Sequence, residues 1–218
     1  MRRGRTARAG WLGSLLLLAA LNGALVGGAV PASAVPAASV PRALVPAAGP
    51  TKVCSIADPR LAEISGLAAS AQHPGTLWTH NDSGGGPALY AIDARTCAVK
   101  AVITIKDVPA RDFESIAIGR DGKGRPVIWV GDIGDNQDSW PFVRLHQVRE
   151  PAVLADASLP ARTWRFTYDD GPQDAETLLA DPTGPRLWVV TKAFLGAGVY
   201  ALPTLPTLPA GGVLTDPL

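Results

Sequence analysis

The stretch "DFESIAIGRDGKGRPVIWVGDIGDN" (Asp112 to Asn136) decides the fold. It opens on two acids, turns apolar, breaks at Asp121-Gly122-Lys123-Gly124, and resumes as a near-continuous apolar run through Val127-Ile128-Trp129-Val130. Glycine supplies positive φ at a turn, so two short apolar runs separated by this break read as a β-hairpin. The second run ends in Gly131, Asp132, Gly134, Asp135 and Asn136, polar residues where a core strand has no use for them.

The same design occurs twice more. "EISGLAAS" (Glu63 to Ser70) is followed, after His73-Pro74-Gly75, by "LWTHND" (Leu77 to Asp82). "DAETLLAD" (Asp174 to Asp181) is followed, after Pro182-Thr183-Gly184-Pro185, by "LWVVTK" (Leu187 to Lys192). Each hairpin starts on an acid and carries an aliphatic-Trp pair in its second strand. The segments "ALYAID" (Ala88 to Asp93), "FVRLHQV" (Phe142 to Val148) and "GVYALP" (Gly198 to Pro203) supply a third strand, and "VKAVITI" (Val99 to Ile105) and "TWRFTY" (Thr163 to Tyr168) a fourth. The three starts, Glu63, Asp112 and Asp174, lie 49 and 62 residues apart. That spacing suits propeller blades, which run to roughly 40–50 residues before insertions. No segment past the N-terminus sustains a helical period. The expected fold is therefore all-β, a β-propeller-like array of about three four-stranded antiparallel blades, with a β-sandwich of the same strands as the alternative. Since closed propellers use four to eight blades, the array is expected to be an incomplete, truncated one.

The flanks read differently. Arg2, Arg3, Arg5 and Arg8 precede an apolar stretch and Ala32-Ser33-Ala34, the pattern of a signal peptide spanning 1–34. The small residues at that site favour cleavage over retention as a membrane anchor. Residues 35–51, rich in Ala and Pro, read as a disordered linker; 52–203 is the propeller-like domain; 204–218 is a C-terminal segment and a possible start of a further blade. Loss of the four arginines with the signal takes the formal charge from +1 to −3, which gives no reason to expect a nucleic-acid partner. The mature product is expected to be secreted, monomeric and without a membrane span. Export permits a disulfide between Cys54 and Cys97, the two cysteines of the chain, at ~4 kcal/mol of chain-entropy stabilisation.

In an antiparallel hairpin the end of strand two lies beside the start of strand one. The recurrent acids and the polar strand ends are therefore expected at one mouth. The ligand or metal candidates are Asp82, Asp112, Glu114, Asp132, Asp135, Asp174 and Glu176, with Glu63, Asn81, Asn136 and Lys192 as further members. Carboxylate oxygens suit a hard cation such as Ca²⁺ and, once tuned, serve as general bases. The alternative is that they hold loop backbone by hydrogen bonds, and a Lys192–Glu176 pair would argue that way. The three histidines do not form a zinc pattern, and His146 is expected to face solvent from an outer strand.

Taken together, "EISGLAAS…HPGTLWTHNDSGGGPALYAID", "DFESIAIG…IWVGDIGDN" and "YDDGPQDAETLLADP…LWVVTK" resemble a family of secreted bacterial β-propeller proteins of phytase-like or esterase-like type. The resemblance spans about Val53 to Pro203, and it implies a Ca²⁺-dependent phosphoester or ester hydrolase. Two functions follow as expectations: binding of a small molecule or protein at an acid-rich funnel without chemistry, and such a hydrolase.

Overall fold

The computed structural model describes residues 49–194 and 196–202, and the backbone of 213–215. The expected signal peptide, most of the expected linker, and most of the C-terminal segment lie outside the described residues. Every regular element among the described residues is a strand. No helix among them is long and apolar enough to cross a membrane.

Three antiparallel meanders follow one another. Module one holds β1 (Ile64–Ala69), β2 (Thr76–Asn81), β3 (Ala88–Asp93) and β4 (Val99–Lys106). Module two holds β5 (Phe113–Arg120), β6 (Pro126–Asp132), β7 (Val143–Arg149) and β8 (Ala157–Thr167). Module three holds β9 (Ala175–Ala180), β10 (Leu187–Thr191) and β11 (Val199–Leu202). The expectation of four strands in every module is thus corrected: module three has three among the described residues. The last strand, β12 (Val213–Thr215), pairs in parallel with β8 and not with β11.

A second difference is the length of β8. Its end pairs antiparallel with β7, while its beginning, Ala157 to Pro160, pairs in parallel with Ile103 to Lys106 of β4. One strand therefore serves two modules, and β1 to β8 form a single hydrogen-bonded path ordered β1-β2-β3-β4-β8-β7-β6-β5. The ends of the path lie against each other, β1 beside β5, so the eight-stranded sheet nearly closes into a barrel-like form. Next along, β5 lies beside β9.

The continuous apolar run of β6 now has its cause. Ile128 and Val130 face module one, joining its Trp78, Leu89 and Ile103 together with Phe113 of their own module. Val127 and Trp129 face module three, joining its Leu178 and Leu187 together with Trp164 and Leu145 of their own module. A strand covered on both faces cannot alternate apolar with polar. The tryptophans occupy one register position: Trp78 opposite Ala68 and Ala91, Trp129 opposite Ala117 and Gln147, and Trp188 opposite Leu179 and Ala201. Trp78 and Trp129 are buried at 0% and 1% exposure, whereas Trp188 is half-buried and its neighbour Leu179 is exposed.

Cys54 and Cys97 form the disulfide, with 5.8 Å between their Cα atoms. It ties the chain before β1 onto module one, where Leu61 and Ile56 pack on Tyr90 and Ile92.

Candidate functional site

Each module opens with the same irregularity. The pairing of β1 with β2 shifts between Ile64 and Gly66, and that of β5 with β6 between Phe113 and Ser115. In module three Val190 faces Thr177, while the next residue, Thr191, faces Ala175. The residues left over are Ser65, Glu114 and Glu176, each two positions after the acid that starts its module. A bulge bends the strand and re-aims its extra side chain, and here Ser65 and Glu176 both act on Glu114. Ser65 Oγ donates to Glu114 Oε2 at 3.0 Å, and Glu176 is near enough for its charge to raise the Glu114 pKa. The polar strand ends arrive at the same place, because the amides of Asp82 and Lys192 donate to the carbonyls of Glu63 and Asp174 at 2.8 and 2.7 Å. Module two follows suit with Gly134 N donating to Asp112 O at 3.4 Å.

Asp82, Asp112 and Glu114 form the centre, with carboxylate oxygens all within 4.8 Å of one another. The cost of gathering them is visible in their protonation. Burial, and then the neighbouring Asp82, pushes Asp112 up to about 6. Burial pushes Glu114 up to about 7; the Ser65 hydroxyl works against this, and the Glu176 and Asp82 charges add to it. Asp82 Oδ1 is buried and has no hydrogen-bond partner. Oxygens from different elements, one of them unpartnered, suit a hard divalent cation, which takes six to eight such ligands and accepts water for the remainder. Lys192 occupies the third side, its Nζ 2.6 Å from Glu176 Oε1 and 3.5 Å from Asp174 Oδ2; this is the pair that favours a structural role for the acids of module three, and it leaves Asp82, Asp112 and Glu114 as the cation candidates.

The other candidates are bound up in the scaffold. Asp132 is fully buried: Oδ2 accepts from Arg144 at 2.8 Å, Oδ1 accepts from the Asp112 amide at 2.8 Å, and Arg111 and His146 each lie 3.9 Å away. Burial alone would raise its pKa; the His146 ring, the Asp112 amide and Arg144 outweigh it and hold Asp132 below the ordinary carboxylate range. His146 is accordingly fully buried, where the sequence suggested solvent, with Nδ1 2.8 Å from Thr163 Oγ1. Asp135 accepts the amides of Ser139 and Trp140 and gives its own amide to Asp174 Oδ1, pinning the loop after β6. Asn81 bridges Arg60 O and Glu63 N. Glu63 is exposed and makes one long contact with Ser83 Oγ, and Asn136 lies exposed in the loop after β6.

So the structure brings together Asp82, Asp112, Glu114, Glu176, Asp174 and Lys192, and it gives Asp132, Asp135 and Asn81 backbone-holding duties. Sequence reasoning missed Ser65. The signal lay in the alignment of the repeats, since Ser65 stands where the other two modules carry glutamate. No protein-family model matches this chain, and no curated protein matches it in sequence.

Proposed function

We propose that the chain is an exported protein of the β-propeller type that binds a small ligand or partner at an acid-lined mouth through a hard divalent cation, Ca²⁺. The propeller reading is supported by the side-by-side placement of β1, β5 and β9, by the equal position of their three bulges, and by the meander that runs outward from each. The observation that carries the binding reading is the group of Asp82, Asp112 and Glu114 within 4.8 Å, two of whose members are held toward the neutral form by burial first and by their acidic neighbours second. A divalent cation relieves that repulsion and gives Asp82 Oδ1 the partner it lacks.

The test is a calorimetric titration of Ca²⁺ into chelator-treated protein. One binding site is expected, weakened at least tenfold by Glu114→Gln and by Asp112→Asn. Equal Ca²⁺ affinity in native protein and both variants would remove these residues from the site.

A Ca²⁺-dependent hydrolase is the second reading, favoured by one observation. The Ser65 hydroxyl sits 3.0 Å from Glu114, a carboxyl whose pKa near neutrality suits proton transfer. This reading requires turnover of 4-nitrophenyl phosphate or 4-nitrophenyl acetate that a chelator abolishes and Ca²⁺ restores.

A further inference from the structure

The modules meet through one kind of junction, made twice. In the first, Trp78 and Ala68 of module one share a core with Ile116 and Ile128 of module two. In the second, Trp129 and Ala117 of module two share a core with Leu178 and Leu187 of module three. The positions correspond in the repeats. Trp78 lies opposite Ala68 as Trp129 lies opposite Ala117, and Ile116 and Leu178 each stand two residues after the bulge glutamate. A module thus offers a tryptophan face to the next one and receives the tryptophan of the one before on its other face.

One face of each kind is left over, at the two ends of the row β1-β5-β9. In module three Trp188 lies opposite Leu179, the same pair again, yet Leu179 is 50% exposed where Ala117 is 8%. Val190 and the exposed Val199 extend that face, and the Arg186 guanidinium, 5.6 Å from the Trp188 centroid, shades part of the ring. In module one Leu67 stands two residues after the bulge Ser65, at the position of Ile116 and Leu178. It is 57% exposed where those two are 5% and 3%. The chain before β1 covers the outer part of this face, at Leu77, Tyr90 and Ile92, and leaves Leu67 bare. An array that ends in water carries a polar face on its last module; module three carries leucine, tryptophan and valine there.

We propose that the tryptophan face of module three docks on the Leu67 face of module one in a second copy of this chain, in place of the monomer expected from the sequence. Both existing junctions name that occupant: the receiving face of a like module. The contact is head to tail, so it joins unlike faces and repeats until it closes. Two copies supply six modules, within the four to eight of a closed propeller, whereas one supplies three and three supply nine. That count rests on the propeller reading; the contact itself rests on the two junctions. It would bring Ser65 of the second copy beside Glu176, as Ser65 meets Glu114 within one chain, so that the acid mouth is completed by the partner.

The experiment is sedimentation velocity of the full chain in chelator, which reads the contact apart from any cation. A species of twice the mass of one chain is expected. Leu179→Glu and Leu67→Glu, both at exposed positions, should each return it to a single chain with an unchanged circular dichroism spectrum. Mixing Leu67→Cys with Leu179→Cys under mild oxidation should give a disulfide-linked pair that neither variant gives alone. A native protein that stays single at every concentration, or pairing that survives both glutamates, overturns the proposal. Linkage by Leu179→Cys alone shows two module-three faces meeting and overturns the head-to-tail contact. Open-ended assembly that either glutamate abolishes overturns the closed pair and the count of six. Absence of Ca²⁺ binding, read separately, would remove the cation from the mouth and leave this contact standing.

Discussion

Glu114 is the bulge residue of module two, with Ser65 and Glu176 acting on it from the modules on either side, and burial first and these neighbours second decide its proton. Its folded-state pKa of about 7 lies above its ordinary 4.5, and that of Asp112, about 6, above 3.8. A carboxyl raised in this way contributes stability that is full below its unfolded pKa and is lost as pH rises through the folded one. Without a divalent cation, Glu114→Gln should therefore melt with the native protein near pH 4 and progressively above it between pH 5 and 8. His80, whose burial lowers its pKa, titrates in the opposite sense, but it is common to both proteins and drops out of the comparison. A melting difference that ignores pH would show that burial among other acids does not govern Glu114. Ca²⁺ should reverse the order at pH 7.5, because the amide supplies a poorer ligand than the carboxylate. Residue by residue, Asp112 and Asp174 were readable as strand-end acids that come near Glu114 and Lys192, since charge at the end of an apolar strand is conspicuous, whereas Glu63, the third module start, stands apart and exposed. Ser65 was not, because an isolated serine carries no such contrast. His146 was misjudged because its burial depends on Asp132, Thr163 and Phe113, partners that only the fold assembles.

Among the elements, β1 is set by how near it lies to β5. A Cβ on Gly66 would fall 2.5 Å from His80 Nε2, 2.8 Å from Ile116 Cγ2 and 3.1 Å from the Ile116 amide nitrogen. The first of these atoms belongs to a fully buried ring held at Nδ1 by the Asn81 carbonyl, so it has little room to give. Gly66→Ala should destabilise the protein by about 1–3 kcal/mol, the usual cost of overpacking, read as a lower urea midpoint. An unchanged midpoint would mean that β1 and β5 are not in close contact. Hairpins in this chain were legible because glycine and proline punctuate them and an aliphatic-Trp pair marks each second strand. The true extent of β8 was hidden. Its first half, Ala157 to Pro160, shows no strand pattern because its pairing comes from β4, far away in sequence. The short third module was equally hidden, since strand pairing of β12 with β8 follows from position in space and not from local composition.

For the molecule as a whole, Glu150 fastens module one to module two. It is 2% exposed; its Oε1 accepts from Trp78 Nε1 at 2.9 Å and from Ser70 Oγ at 2.5 Å, and its carbonyl accepts from Gln72 at 2.7 Å. His73 adds a contact of 2.7 Å to the carbonyl of Pro151. The hairpin turn of module one is thereby held to the connection between β7 and β8. Glu150→Ala would leave the buried indole N–H of Trp78 unpartnered, at a cost of about 1–3 kcal/mol. Hydrogen exchange should quicken in β2 while the amides of β9 to β11 keep their native rates. Uniform acceleration across all three modules would show that they open together and that the fastening is not local.

The double pairing of β8 also bears on how the chain reaches this form. Val102 donates its amide to Asp156, 54 positions later, and β4 completes its ladder only against Ala157 to Pro160. A nascent polypeptide emerging from the ribosome cannot finish the first meander on its own; its outer edge must wait for the second to be synthesised. Topologies dominated by such distant partners close slowly, because chain entropy is lost before the contact is gained. Acquisition of the native state is thus committed late and jointly, and until β8 is in place the waiting edge of β4 is the surface a chaperone would have to shield.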